Sequence, residues 1–107
     1  MIETWDKIKL LIAEGNIKIS EHGYDELAAD DLNVREIVAG TPNGSIIEEY
    51  PEYPKGPCVL ILLRDKKGYP VHAVWGVPFG TGSPAVLVTA YRPDPERWED
   101  DFIRRKK

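Results

Sequence analysis

From Pro70 to Arg92 the chain reads PVHAVWGVPFGTGSPAVLVTAYR, two apolar stretches joined by a glycine-rich loop. Val71, Ala73, Trp75, Val77 and Phe79 alternate with His72, Val74, Gly76 and Pro78. A period of two marks a strand with one strongly apolar face. Ala85 to Tyr91 is rich in β-branched residues and predicts a second strand. A hairpin closing around Gly80 to Pro84 brings His72 close to the Thr89–Arg92 end, with the register open by one residue. This stretch commits the chain to a sheet. It also gathers an imidazole, a hydroxyl, a phenol and a guanidinium, on His72, Thr89, Tyr91 and Arg92, at one end of that sheet.

The residues before it supply helices. Glu3 to Glu14 sets Trp5, Ile8, Leu11 and Ile12 on one helical face, and Gly15 follows as a stop. Ile17 to Ile19 reads as a short extended link or strand. Ser20 is an N-cap for a helix over Glu21 to Ala29, and Asn33 caps another over Val34 to Ala39, with Glu36 at the capping-box position. From Ser45 the pattern becomes that of strands. Ser45–Tyr50 is the first, and the proline-rich loop Pro51–Pro57 follows it. Cys58–Leu63 is apolar without alternation, as in a strand buried on both faces. Asp65-Lys66-Lys67-Gly68 is a hairpin turn. Asp94 with Pro95 predicts a last helix, which Trp98 and Phe102 dock on the sheet. The expected fold is α+β: a mostly antiparallel four-stranded sheet packed against N-terminal helices and a short C-terminal helix. It is one domain over residues 1–107, helical over 1–40, sheet over 45–92 and helix over 94–105.

Size and charge bound the function. A chain of 107 residues suits a single modest core. No apolar run approaches the roughly 20 residues of a membrane helix, and no leader pattern follows Met1, so the expected location is the cytoplasm. The lone Cys58 forms no internal disulfide and fits a reducing compartment. Residues 1–57 hold 12 Asp/Glu against 5 Lys/Arg, whereas residues 58–107 hold 6 against 9. An anionic partner is therefore permitted on the sheet side, although dedicated RNA binders are usually basic throughout.

Each candidate has two readings. His72 is a general acid or base near neutral pH, or a hydrogen-bonded structural histidine. Thr89 and Tyr91 orient a phosphate or donate a proton, or are ordinary strand residues. Arg92 binds phosphate, or pairs with Asp94. His22 and Glu26, four apart on a helix, form a His–carboxylate pair, two ligands of a metal with His72 as a third, or part of a helix cap. The loop Gly80-Thr-Gly82 lacks the lysine and following helix of a phosphate-binding P-loop.

Ser20 and His22, a helix ending in Gly40, Tyr50, Pro70–Val74 and Val88–Asp94 followed by Trp98 occur here in a particular order. In that order the chain resembles a small bacterial and archaeal family of domains of unknown function, over Ile17 to about Arg105. Members of that family are often encoded beside small zinc-finger antitoxins of the YgiT type. The family also distantly resembles the RelE-like toxins that cleave mRNA, including the MqsR and BrnT groups. The resemblance implies a RelE-like sheet and a toxin-like, metal-independent endoribonuclease without cofactors. RNA and a zinc-finger antitoxin would be its partners. It implies His72 as base or acid, Arg92 as charge stabiliser, Tyr91 as proton donor or stacking platform, Thr89 facing the RNA and His22 in support. The alternatives are a non-catalytic protein-binding module on the same fold and a metal-using enzyme on His22, Glu26 and His72.

Overall fold

Three helices precede the antiparallel strands in the computed structural model, which describes residues 3–107; the leader reading at Met1 lies outside them. They are α1 (Thr4–Ala13), α2 (Glu21–Ala29) and α3 (Val34–Gly40), with β1 (Ile17–Ile19) between the first two and a 3-10 turn (Thr41–Asn43) after the third. The remaining strands are β2 (Ser45–Tyr50), β3 (Cys58–Arg64), β4 (Pro70–Gly76) and β5 (Ala85–Tyr91). Both expected caps form: Ser20 Oγ accepts from the Gly23 N–H at 2.9 Å, and Asn33 Oδ1 from the Glu36 N–H at 3.2 Å.

The sheet has five strands rather than the expected four, in the order β1-β5-β4-β3-β2. The additional one is Ile17–Ile19, parallel to β5, with Lys18 opposite Val86. Three residues are too few to display a period. The segment is extended because the outer edge of β5 presents backbone groups that need partners. The other three pairings are antiparallel.

Ile8, Leu11, Leu27 and Ile37 from the helices cover one sheet face, meeting Val59, Ile61, Val71, Ala73, Trp75 and Leu87. β3 is buried on both faces up to Leu63, in accord with its unbroken apolar run. Among the described residues no helix is long and apolar enough to cross a membrane.

Helix α2 sits directly on β5. Ser20 Oγ donates to Val88 O at 2.8 Å, and a Cβ on Gly23 would lie 2.8 Å from Leu87 O. Gly23→Ala is therefore expected to destabilise the protein by about 1–2 kcal/mol, even after the roughly 0.5–1 kcal/mol that alanine gains over glycine inside a helix. Urea titration checks this; an unchanged midpoint would show that the helix lifts freely from the strand.

The helix expected over 94–105 does not form. Asp94 Oδ1 accepts from the Glu96 N–H and Asp94 O from the Arg97 N–H, closing one turn. The chain then doubles back so that Trp98 pairs with Arg105 in an antiparallel bridge. Asp101 drives the reversal: its Oδ1 accepts from the N–H groups of Ile103 and Arg104, and Phe102 takes a left-handed φ of 57°. Those two N–H bonds hold its carboxyl down at about 2. Aspartates compete for backbone donors in this way and end helices. Trp98 still docks on the sheet, but on the face opposite the helices.

Candidate functional site

The face of the sheet away from the helices holds every strand candidate, and the register orders it in rows. One row runs Lys18, Val86, Gly76, Cys58 and Tyr50 across all five strands. The next holds Thr89, Val74, Leu60 and Glu48, and the last holds Tyr91, His72, Leu62 and Ser45. His72 thus stands opposite Tyr91, as the hairpin predicts. A bulge at Val88 shifts the β4–β5 register by one residue beyond Thr89.

The C-terminal segment seals the last row. His72 is 0% exposed. Its Nε2–H donates to Phe102 O at 2.7 Å, and the Trp98 ring meets it edge-on at 4.5 Å, with Tyr91 at 5.7 Å. Nδ1 has no partner. Burial pushes the His72 imidazole below its ordinary pKa, against the smaller opposing pull of the Phe102 carbonyl. The Phe102 carbonyl selects the tautomer with the proton on Nε2, which leaves the lone pair on Nδ1.

Arg105 fastens the strap. It lies over the Trp98 ring at 4.5 Å and donates to Glu48 Oε1 at 2.9 Å, while the Tyr50 hydroxyl donates to Glu48 Oε2 at 2.8 Å. The bond from Arg105 holds the Glu48 carboxyl low, and burial together with Glu48 pushes the Tyr50 phenol up to about 12. Tyr91 is half-buried, and burial raises its phenol as well.

Because the folded-state pKa of His72 is depressed, the unfolded chain binds the extra proton. The resulting stability is fully present above the unfolded value of about 6.5 and is lost as pH falls through that value and then the folded one. The charged groups that face the ring are Arg105 and Glu48. Between pH 7.5 and pH 5 the urea midpoint of the unsubstituted chain is expected to fall further than that of His72→Gln, which keeps an N–H donor there. Parallel curves would place the titration elsewhere.

Arg92 is a latch. Its backbone N–H donates to Asp30 Oδ2 at 2.7 Å and its guanidinium meets Asp65 Oδ2 at 2.8 Å, tying β5 to the end of α2 and to the β3–β4 turn. The expected partner, Asp94, instead lies 3.9 Å from Arg97. Arg92 lines a groove of about 610 Å³ whose charges answer one another, since Lys66 also faces Glu36 at 3.6 Å.

His22 lies elsewhere. Its side chain is 65% exposed on the first turn of α2, with Nε2 3.7 Å from Glu26 Oε1. It lines a groove of about 690 Å³ over the uncovered half of the open face, together with Lys18, Ser20, Tyr53, Lys55 and Gly76. The structure thus brings His72, Thr89 and Tyr91 onto one face, sets Arg92 at its margin, and gives His22 a groove that excludes all four. Among the described residues no three His, Cys, Asp or Glu side chains converge, so the alternative of a metal on His22, Glu26 and His72 lacks its ligand set.

Residues 19–92 match the family described as Domain of unknown function (DUF4258). The chain belongs to the DUF4258 family. No curated protein and no solved structure matches it.

The DUF4258 match contains His22, Thr89, Tyr91, Arg92 and His72, and also the floor of the His22 groove. It stops before the strap that seals His72. Chemically, the groove offers an exposed imidazole, two amines, a phenol and the Glu21 carboxylate around an apolar floor of Val86, Val88 and Gly76, a set of groups capable of acid–base work. Lys18, Tyr53 and Lys55 escaped the sequence reading. Lys18 could have been found as the outward residue of Ile-Lys-Ile, whereas Tyr53 and Lys55 sit in a loop whose course only the fold reveals.

Proposed function

We propose that this chain is the toxin component of a toxin–antitoxin pair, a metal-independent endoribonuclease on a RelE-like sheet, silenced by a small zinc-finger antitoxin. The observation that carries the reading is the open groove on one end of the sheet face that His22, Lys18, Lys55 and Tyr53 line together, with Glu21. His22 takes the proton of a ribose 2′-OH, and the 2′-oxygen attacks the adjacent phosphorus. Lys18 and Lys55 neutralise charge on the phosphorane. The bond to the 5′-oxygen breaks, and that oxygen leaves with a proton drawn from a lysine ammonium. The products are a 2′,3′-cyclic phosphate and a 5′-hydroxyl.

The reacting centre is not the one centred on His72, because a sealed imidazole has no path to a substrate while the strap is closed. That same burial, together with the net charge of −4, favours the second reading, a non-catalytic module that holds a protein partner. Two measurements separate them: growth after induced expression, and incubation of purified protein with RNA in the presence of EDTA. Arrest with cyclic-phosphate ends on the fragments is expected. Normal growth with intact RNA at micromolar protein would overturn the ribonuclease reading and leave the binding module.

A further inference from the structure

The floor of the His22 groove is flat because glycine stands at its centre. Gly76 stands at the middle of the row that crosses all five strands, and a Cβ there would lie 2.6 Å from Cys58 Sγ and 3.2 Å from Pro57 O. The Cys58 thiol fills the place that a side chain at position 76 would take, and Gly76 and Cys58 are both buried, so no side chain projects from the floor between Cys58 and Val86. Cys58 is itself buried, and burial raises its thiol, so the floor carries no charge.

The rim is held in place. Tyr53 is 42% exposed, and its turn is closed by Tyr53 N–H to Tyr50 O and Gly56 N–H to Tyr53 O. The turn is then clipped to the end of β4, with Val77 N–H donating to Pro57 O and Phe79 N–H to Lys55 O, both at 3.1 Å. Tyr53 and Lys55 are therefore presented on anchored backbone. Among the described residues neither Lys18 nor Lys55 has a carboxylate within 4.0 Å, unlike Lys9, Lys66, Arg92, Arg104 and Arg105.

A flat uncharged floor, one exposed aromatic ring and two unpaired ammonium groups match the parts of a nucleotide, and the two ammonium groups outnumber the one carboxylate of the lining, Glu21. We infer that the groove takes an unpaired nucleotide of single-stranded RNA, its base over the Gly76 floor against the Tyr53 ring and its phosphates toward Lys18 and Lys55. This rests on reading the groove as the RNA site and adds the class of RNA that it accepts. Stacked, paired bases of a duplex do not offer a free face to such a floor, whereas a single strand splays its bases onto aromatic rings.

The test uses His22→Ala protein, so that the probe stays intact, and fluorescence anisotropy of a labelled ten-nucleotide single-stranded RNA and of the same sequence locked in a hairpin stem. The single strand is expected to bind at least about tenfold more tightly. Tyr53→Ala should weaken it by roughly tenfold, and Tyr53→Phe by no more than about twofold, because the ring and not the hydroxyl stacks. Lys18→Ala and Lys55→Ala should each lower the salt dependence by about one phosphate contact. Equal affinity for stem and single strand, or equal loss in Tyr53→Phe and Tyr53→Ala, would overturn the inference. If the unsubstituted chain still cleaves RNA in that case, the ribonuclease reading stands without it. Failure to cleave or bind either RNA removes both.

Discussion

His22→Ala protein is expected to cleave RNA about 10²- to 10⁴-fold more slowly than the unsubstituted chain at pH 7, with little change in melting temperature. The loss is the usual effect of removing a positioned general base. Stability should hold because the His22 side chain is exposed and faces only a partly exposed Glu26 at 3.7 Å, and such pairs contribute little. His72→Ala should behave in the opposite way. It empties a fully buried position and leaves Phe102 O without its donor, which costs on the order of 1–3 kcal/mol. Cleavage per folded molecule should stay within about threefold. Single-turnover cleavage alongside thermal melts reads both quantities. If instead His72→Ala abolishes cleavage and His22→Ala leaves it intact, the reacting centre lies under the strap, and the strap must lift for catalysis.

The largest loss of stability is expected from Trp75→Ala, about 3–5 kcal/mol. Trp75 is the largest fully buried side chain, on the helix-covered face of β4. Its Nε1–H donates to Thr41 Oγ1 at 3.1 Å, and the Thr41 hydroxyl donates in turn to Ile37 O at 2.6 Å. The indole therefore fills the core and also completes a buried relay that ties α3 to the sheet. A small domain is stable by roughly 5–15 kcal/mol, so the substitution takes a large share of the total. Trp75→Phe keeps most of the volume and removes only the N–H, and about 1–2 kcal/mol is expected for it. Urea denaturation at constant m reads the difference. A shift below about 1 kcal/mol for Trp75→Ala would mean that the core closes over the gap.

Trp75 and His72 are neighbours in sequence terms, two positions of one alternating strand, yet they show how far a sequence carries. Period-two alternation and apolar content sent Val71, Ala73 and Trp75 to the core, because burying apolar area is non-directional and needs only the right face. The caps at Ser20 and Asn33, the turn at Asp65–Gly68 and the doubly buried β3 were legible for the same kind of reason. Each is decided by chemistry within a few residues. The helix over 94–105 failed where local signals conflicted: Asp94-Pro95 starts a turn, but Asp101 claims two backbone donors and reverses the chain.

What the sequence determined by itself was the α+β class, the strand faces, the starts of α1, α2 and α3, and the pairing of His72 with the Thr89–Tyr91 end. What only the tertiary structure decided was which side chains meet solvent. Ile17–Ile19 became a strand because β5 had an open edge, and that placed Lys18 in the groove row. The C-terminal segment crossed the open face, so His72 was sealed and its neighbour groove was left to His22, Tyr53 and Lys55. Both outcomes depend on contacts between residues tens of positions apart. Pairing, packing and burial of that kind depend on the whole fold, whereas propensity acts over a turn or two of chain.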